Sequence, residues 1–169
     1  MTQFNFLEII VPFKDKMFRL AKRLLVSTEE AEDATQEIIM KLWRNKNNIE
    51  SYKNIEAFSM TMTKNLCLDK LKSKHAKNLK IVHSNYRDKN ISLENQLELN
   101  DSIDWIVKIM ETLPEQQKII IQLRDIEQYE FNEISKMLNL KEATIRVSLS
   151  RARKILREQL IKTHSYGVR

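Results

Sequence analysis

The chain has 169 residues, 42% of them apolar and 31% charged, and carries a net charge of +6. That balance fits a folding chain of one domain or two small ones and excludes a disordered polyelectrolyte. A single glycine, Gly167, and two prolines, Pro12 and Pro114, are too few for sheets joined by tight turns, so the fold class is all-α.

The start, MTQFNFLEIIVPFKDK, has no basic leader and no small-residue cleavage site. No apolar run approaches the roughly 20 residues that span a bilayer, so a cytoplasmic protein is expected. A first helix is predicted from about Phe6 to Leu25, with Pro12 tolerated near its first turns or marking a break. Ser27 and Glu30 have the spacing of a capping box. The helix they open should run to about Trp43, with Ala31, Ala34, Ile38, Leu42 and Trp43 facing inwards. Asn45 to Asn54 lacks an apolar period and reads as a loop. Asn54 can cap a third helix through Leu71, with Phe58, Met62, Leu66 and Leu71 as its apolar members. Cys67 lies on that helix without a partner, which excludes an internal disulfide and suits a reducing compartment.

From Ser73 to Asn100 the period fades into a polar, partly extended linker. Helical pattern returns at Ile103, Ile106, Val107 and Met110. Thr112 and Glu115 form a second capping-box candidate, with Pro114 in the first turn of a helix continuing through Ile120, Ile121 and Leu123. Glu133 to Leu156 then reads as two short helices about a tight turn. Ile134, Met137 and Leu138 recur in the first, and Ile145, Leu149, Ala152 and Leu156 in the second. Asn139 suits a left-handed turn position, and Ser135 is small where the two helices cross. The tail from Thr163 should fray. The domains are taken as 1–75 and 102–163, with a linker 76–101 and a tail 164–169.

Charge alternates along this frame. Five acids and no Lys or Arg lie between Ser27 and Glu37, and six lysines face Asp69 alone between Lys64 and Lys80. Six acids face two cations from Glu111 to Glu133, and seven cations face two acids from Lys141 to Lys162. Four blocks in this order suggest surfaces for two kinds of partner. Asp33, Gln36 and Glu37 share one helix face, either an ordinary hydrated face or a docking surface for a basic partner. The helix with Lys64, Asn65, Asp69, Lys70 and Lys72 can neutralise phosphates and hold an unstacked base, or can simply be solvated. Phe58 and Trp43 fit the core better than a stacking platform. The last helix carries Arg146, Arg151, Arg153, Lys154 and Arg157 opposite its apolar side, the form of a recognition helix entering a DNA major groove. His75, His83 and His164 have no metal-ligand spacing, and no glycine-rich phosphate loop exists. No catalytic residue, metal, cofactor or small-molecule substrate is expected.

Four segments together resemble the extracytoplasmic-function sigma factors of bacterial RNA polymerase. They are AEDATQEIIMKLW (Ala31 to Trp43), AFSMTMTKNLCLDKLKSK (Ala57 to Lys74), LPEQQKIIIQL (Leu113 to Leu123) and EISKMLNLKEATIRVSLSRARKILREQL (Glu133 to Leu160). The resemblance implies two helical domains that bind core polymerase, direct promoter recognition and help open DNA. Asp33, Gln36 and Glu37 match the face that docks on the clamp helices of the polymerase's largest subunit. Asn65, Asp69 and Lys72 match the helix that engages the −10 element, and the loop with Ser51 and Tyr52 matches the part that pockets a flipped base. Leu113 to Leu123 matches the start of the module that sits on the flap of the second-largest subunit. Arg146, Val147, Ser150 and Arg151 match positions facing −35 bases, with Thr144, Arg153 and Lys154 on phosphates. Kinship also implies a membrane-bound anti-sigma protein as a holding partner. Lys72 stands where the family often has Arg, Phe58 where it often has Trp, Asn139 and Ala143 where it often has Gly, and Lys141 where it often has a capping Ser or Thr. The alternative from another class is a stand-alone helix-turn-helix regulator, which would need a dimer interface to match a two-fold operator. A helical adaptor would leave the basic helix unexplained.

Overall fold

The computed structural model describes residues 3–82 and 102–166. They form seven α-helices, and no strand occurs among them. The N-terminal domain holds α1 (Gln3–Leu25), α2 (Thr28–Arg44) and α3 (Ile55–Val82). The C-terminal domain holds α4 (Ser102–Thr112), α5 (Glu115–Ile121), α6 (Phe131–Leu138) and α7 (Glu142–Tyr166). Helix α1 is the keel of the first domain: Ile10, Phe13, Met17, Leu20 and Leu24 are buried, and α2 and α3 pack on it. The predicted inward positions Ala31, Ala34, Ile38 and Leu42 of α2 are buried, and Trp43 is half-buried edge-on to Phe6, 5.1 Å between ring centres. In the second domain α7 packs on α4, α5 and α6, and buried Ile134, Met137, Ile145, Leu149 and Ala152 lock the helix-turn-helix together. No helix among the described residues is long and apolar enough to cross a membrane.

Turn chemistry follows from the shortage of glycine. Among the described residues, three non-glycine residues take positive φ: Val26 (66°), Gln128 (62°) and Asn139 (52°). Asn139 is left-handed as expected, at the C-cap of α6. Ser135 does more than keep the crossing narrow, because its hydroxyl donates to the carbonyl of Leu140 at 2.6 Å and ties the turn to the helix before it.

Several boundaries differ from the sequence reading. Pro12 does not break α1; it sits exposed within a continuous helix, where it removes the N–H due to bond the carbonyl of Glu8. Ser27 accepts the amide of Glu30 at 3.3 Å, but Glu30 sends its carboxylate to Lys74 of α3 (2.6 Å) instead of completing the box. The segment read as a loop contains a 3₁₀ helix, Lys46–Ser51, which buries Ile49 and is closed by Ser51 Oγ donating to the carbonyl of Asn48 at 2.6 Å. Asn54 does cap α3, accepting from the amide of Ala57 at 2.8 Å. That helix runs on to Val82, well past Leu71 and into the segment expected to be extended. The rest of the proposed linker, 83–101 with His83, lies outside the described residues.

The second capping box does not form either. Thr112 turns its hydroxyl back to the carbonyl of Ile109 (2.7 Å), and Pro114 itself is the N-cap of α5. Helix α5 passes into a π-turn, Gln122–Ile126. Helix α6 begins at Phe131, two residues before the predicted start, with the Glu133 carboxylate accepting the amide of Glu130 at 2.9 Å. Helix α7 continues through Thr163 to Tyr166 rather than fraying there, and 167–169 lie outside the described residues.

Candidate functional site

Three faces are presented, two on the first domain and one on the second. On α2, Asp33 and Gln36 are exposed and Glu37 is partly so. Glu37 is oriented by Lys41 at 2.7 Å and Lys70 at 3.8 Å. The hydrogen bond from Lys41, with the charges of Lys41 and Lys70, holds its carboxyl below the usual carboxylate range against a smaller opposing effect of burial. Met40, 56% exposed, lies one turn further along this face and gives it an apolar contact beside the carboxylates.

On α3, Asn65, Asp69 and Lys72 are exposed at steps of four and three, one stripe of the helix. The lysine-rich block around them is less available than its sequence suggests. Lys64 is half-buried and donates to the carbonyl of Met137 at 3.3 Å, Lys70 faces Glu37, and Lys74 pairs with Glu30. Burial also lowers the pKa of Lys64. Beside this stripe Tyr52 stacks on Phe58, 4.3 Å between ring centres and 19° between planes, so Phe58 is both half-buried core and the floor under Tyr52. Ser51 is exposed.

On α7, Thr144, Arg146, Val147, Ser150, Arg151, Arg153 and Lys154 are all exposed, at least in part, opposite the buried Ile145, Leu149 and Ala152. Their cations are unequal. Arg151 has no ion-pair partner among the described residues. Arg153 is held by both oxygens of Asp125, at 3.0 and 2.6 Å, so the phosphate role read from sequence competes with an internal clamp. Arg146 meets Glu142 at 3.3 Å and lies over the Phe131 ring at 3.9 Å. Arg146, Ser150, Arg153 and Lys154 line, with Phe131, a groove of about 540 Å³ between α6 and α7. A helix-turn-helix whose second helix offers this face can enter a major groove.

Half of the acids in the block from Glu111 to Glu133 are engaged in ion pairs within the protein. Asp125 clamps Arg153, Glu130 meets Arg124 at 3.2 Å, and Glu127 is buried across the domain boundary. Arg19 of α1 donates to both Glu127 oxygens at 2.8 and 2.6 Å, and Gln122 adds a third bond at 2.8 Å. Beside them Lys16 bonds Glu56 at 2.6 Å and rests over the Tyr129 ring, whose hydroxyl also donates to Glu56. The Tyr129 hydroxyl is held well above its ordinary pKa, first by burial and then by Glu56. A polar seam therefore ties α1 and α3 to the segment between α5 and α6. Among the described residues no cluster of His, Cys, Asp or Glu is suited to a metal.

Comparison with known proteins gives this geometry its context. Residues 9–77 match the family model "Sigma-70 region 2", and residues 103–156 match "Sigma-70, region 4". Between them the matches span most of the chain. The chain belongs to the sigma-70 family. Within it, the relatives are of the extracytoplasmic-function (ECF) group. The ECF RNA polymerase sigma factor SigW of Bacillus subtilis is 26% identical over 92% of this chain and 88% of its own. SigE of Mycolicibacterium smegmatis is 28% identical over 94% of this chain, which spans only 62% of that longer protein. Among solved structures, the sigma factor RpoE in complex with the anti-sigma factor NepR from Bartonella quintana superposes with a TM-score of 0.72 at 21% identity, covering 92% of this chain and 96% of that one. CnrH in complex with the cytosolic domain of CnrY gives 0.68 at 14% identity, over 95% and 90%. These two establish likeness of fold.

The protein is thus an ECF-type promoter-recognition sigma factor. In this sigma factor, sequence reasoning missed three features. Met40 was passed over because one methionine breaks no pattern. Phe131 fell just before the predicted α6. The Arg19–Glu127 pair joins residues 108 positions apart, and no local period announces that.

Proposed function

We propose that this sigma factor docks on core RNA polymerase through the α2 face of Asp33, Gln36 and Glu37, with Met40 as its apolar contact. Region 4, beginning with Leu113 to Leu123, sits on the flap of the second-largest subunit. The α3 stripe of Asn65, Asp69 and Lys72, with Ser51 and Tyr52 beside it, engages the −10 element and holds an unstacked base. The α7 face reads the −35 element, with Arg146, Val147, Ser150 and Arg151 towards bases and Thr144, Arg153 and Lys154 towards phosphates. The supporting observation is that all three candidate faces are open to solvent while the apolar side of each helix is buried. Residues 1–75 and 102–163 form the two working domains, and 76–101 connects them. No bond is made or broken by this chain; binding to the unpaired strand offsets the cost of unstacking. It acts in the cytoplasm. An anti-sigma protein, membrane-bound in the family, restrains it, a reading supported by the anti-sigma complexes among its structural neighbours.

The α3–α6 contact at Lys64 and Met137 adds a requirement. Elements centred near −10 and −35 lie about 25 base pairs apart, about 85 Å at 3.4 Å per pair. A compact chain of this length has a radius of gyration of about 15 Å. The two domains must therefore part along the polar seam before both elements can be held. Run-off transcription with purified core polymerase, on templates selected from a randomised promoter pool, tests the reading. Transcripts that depend on added protein and start at a fixed distance from the selected sequence are expected. If the protein neither joins core nor yields such transcripts, the proposal fails.

A further inference from the structure

Arg146 is a 57% exposed side chain, and its i, i+4 partner Glu142 is itself 44% exposed. Such a pair is too weak to fix a long flexible arginine. Something more is present here. The guanidinium carbon stands 3.9 Å from the centre of the Phe131 ring, and that of Arg124 stands 4.7 Å from the same ring. Arg124 is anchored in turn, donating to the carbonyl of Tyr129 at 2.8 Å and meeting Glu130 at 3.2 Å. Phe131 is the first residue of α6, is half-buried against the core, and walls the groove that runs beneath Ser150 and Lys154. We propose that Phe131 is a positioning residue for promoter reading: its ring holds Arg146 ready for the −35 base edge. This rests on Arg146 reading a base, as proposed above.

The physical case lies in how a guanidinium divides its interactions. Attraction to an aromatic ring uses the flat face, whereas its N–H donors lie in the plane and point outward. A guanine edge is read by two of those in-plane donors. Ring and base therefore do not compete for the same part of Arg146. An arginine already lying on a ring also gives up less side-chain freedom when it binds. The ring carries no charge, so it adds nothing to phosphate attraction and should affect base preference rather than salt dependence.

The experiment uses holoenzyme reconstituted from core polymerase and the full chain, presented with promoter duplexes randomised across the −35 region. Enrichment is read at each position for wild type, Arg146→Ala, Phe131→Leu, Phe131→Met and Phe131→Tyr, with thermal melting and core binding measured alongside. Leu and Met are run together so that one folded variant keeps the apolar bulk without the ring. Arg146→Ala should flatten preference at one position, and loss of the ring should weaken preference at that same position by about three- to tenfold. Phe131→Tyr should restore it, and the slope of affinity against salt should not change. If Arg146→Ala flattens a position that folded Phe131→Leu or Phe131→Met leaves intact, the positioning role is wrong while base reading stands. If Arg146→Ala flattens no position, base reading is wrong and the inference falls with it.

Discussion

Val26 joins α1 to α2 at φ 66°, where a β-branched side chain crowds its own backbone. Its exposure (48%) means that no buried packing requires valine there. Val26→Asn should therefore raise stability by about 1 kcal/mol, seen as a melting temperature about 2–4 °C higher. An unchanged or lower melting point would mean that the turn is not strained. Cys67 makes the opposite point about burial. Its thiol is fully buried, and loss of solvation pushes its pKa from 9.0 up to about 12, against a small lowering by Lys70. Between these values the unfolded chain releases the proton and the folded one keeps it. The native state thus keeps this contribution below pH about 9 and loses it progressively as pH rises towards 12. At pH 8 a thiol reagent should label Cys67 only as fast as the protein opens, and labelling as fast as free cysteine would contradict its burial.

The helix-turn-helix was legible because its period and its turn residue agree. Ile134, Met137, Ile145, Leu149 and Ala152 are buried, and Asn139 is left-handed. Those signals are local. The ends of α3 and α7 were misjudged because apolar period marks where a helix is buried, not where it stops. Helix α3 crosses the largely polar run Ser73 to Asn78 to end at Val82, and α7 continues past Ile161 to Tyr166. The charge blocks misled for a different reason: sequence shows how many acids and bases a stretch carries, not which are paired with each other. Glu30, Asp125 and Glu127 are engaged internally, as are Lys64, Lys74 and Arg153. This gives α7 an internal ranking. On non-specific duplex DNA, Arg151 has no cognate base to read, and its guanidinium, without an ion-pair partner among the described residues, can turn to phosphate. There Arg151→Ala should lower the slope of log affinity against log salt by about one contact. Arg153→Ala should lower it less, because Asp125 already holds Arg153. Equal losses would show that the Asp125 clamp opens freely. In that case Asp125→Ala should not raise DNA affinity either.

For the whole molecule, the polar seam joins the two domains and should set how readily they part. Glu127 has no exposed side-chain surface, while Arg19 is 46% exposed. Arg19→Ala leaves the carboxylate with only Gln122 and Arg19's place empty, a change worth up to about 3–5 kcal/mol if the seam stays shut. Opening the seam lets water reach Glu127 and relieves that cost. The variant should therefore show a larger radius of gyration by small-angle scattering, and it should bind core polymerase at least as well as wild type. A compact Arg19→Ala protein with unchanged stability would show that the seam does not hold the domains together.

If the α2 face is the door to the polymerase, as proposed, promoter recognition by this chain depends on it. Asp33→Lys with Glu37→Lys reverses its charge at positions where neither side chain is buried, so the fold should survive. The decisive measurement is equilibrium binding of this double variant to purified core polymerase, beside its binding to non-specific duplex DNA. Core binding should be lost while DNA binding is undiminished and the melting curve stays cooperative. Wild-type affinity for core in a folded double variant would contradict docking through α2.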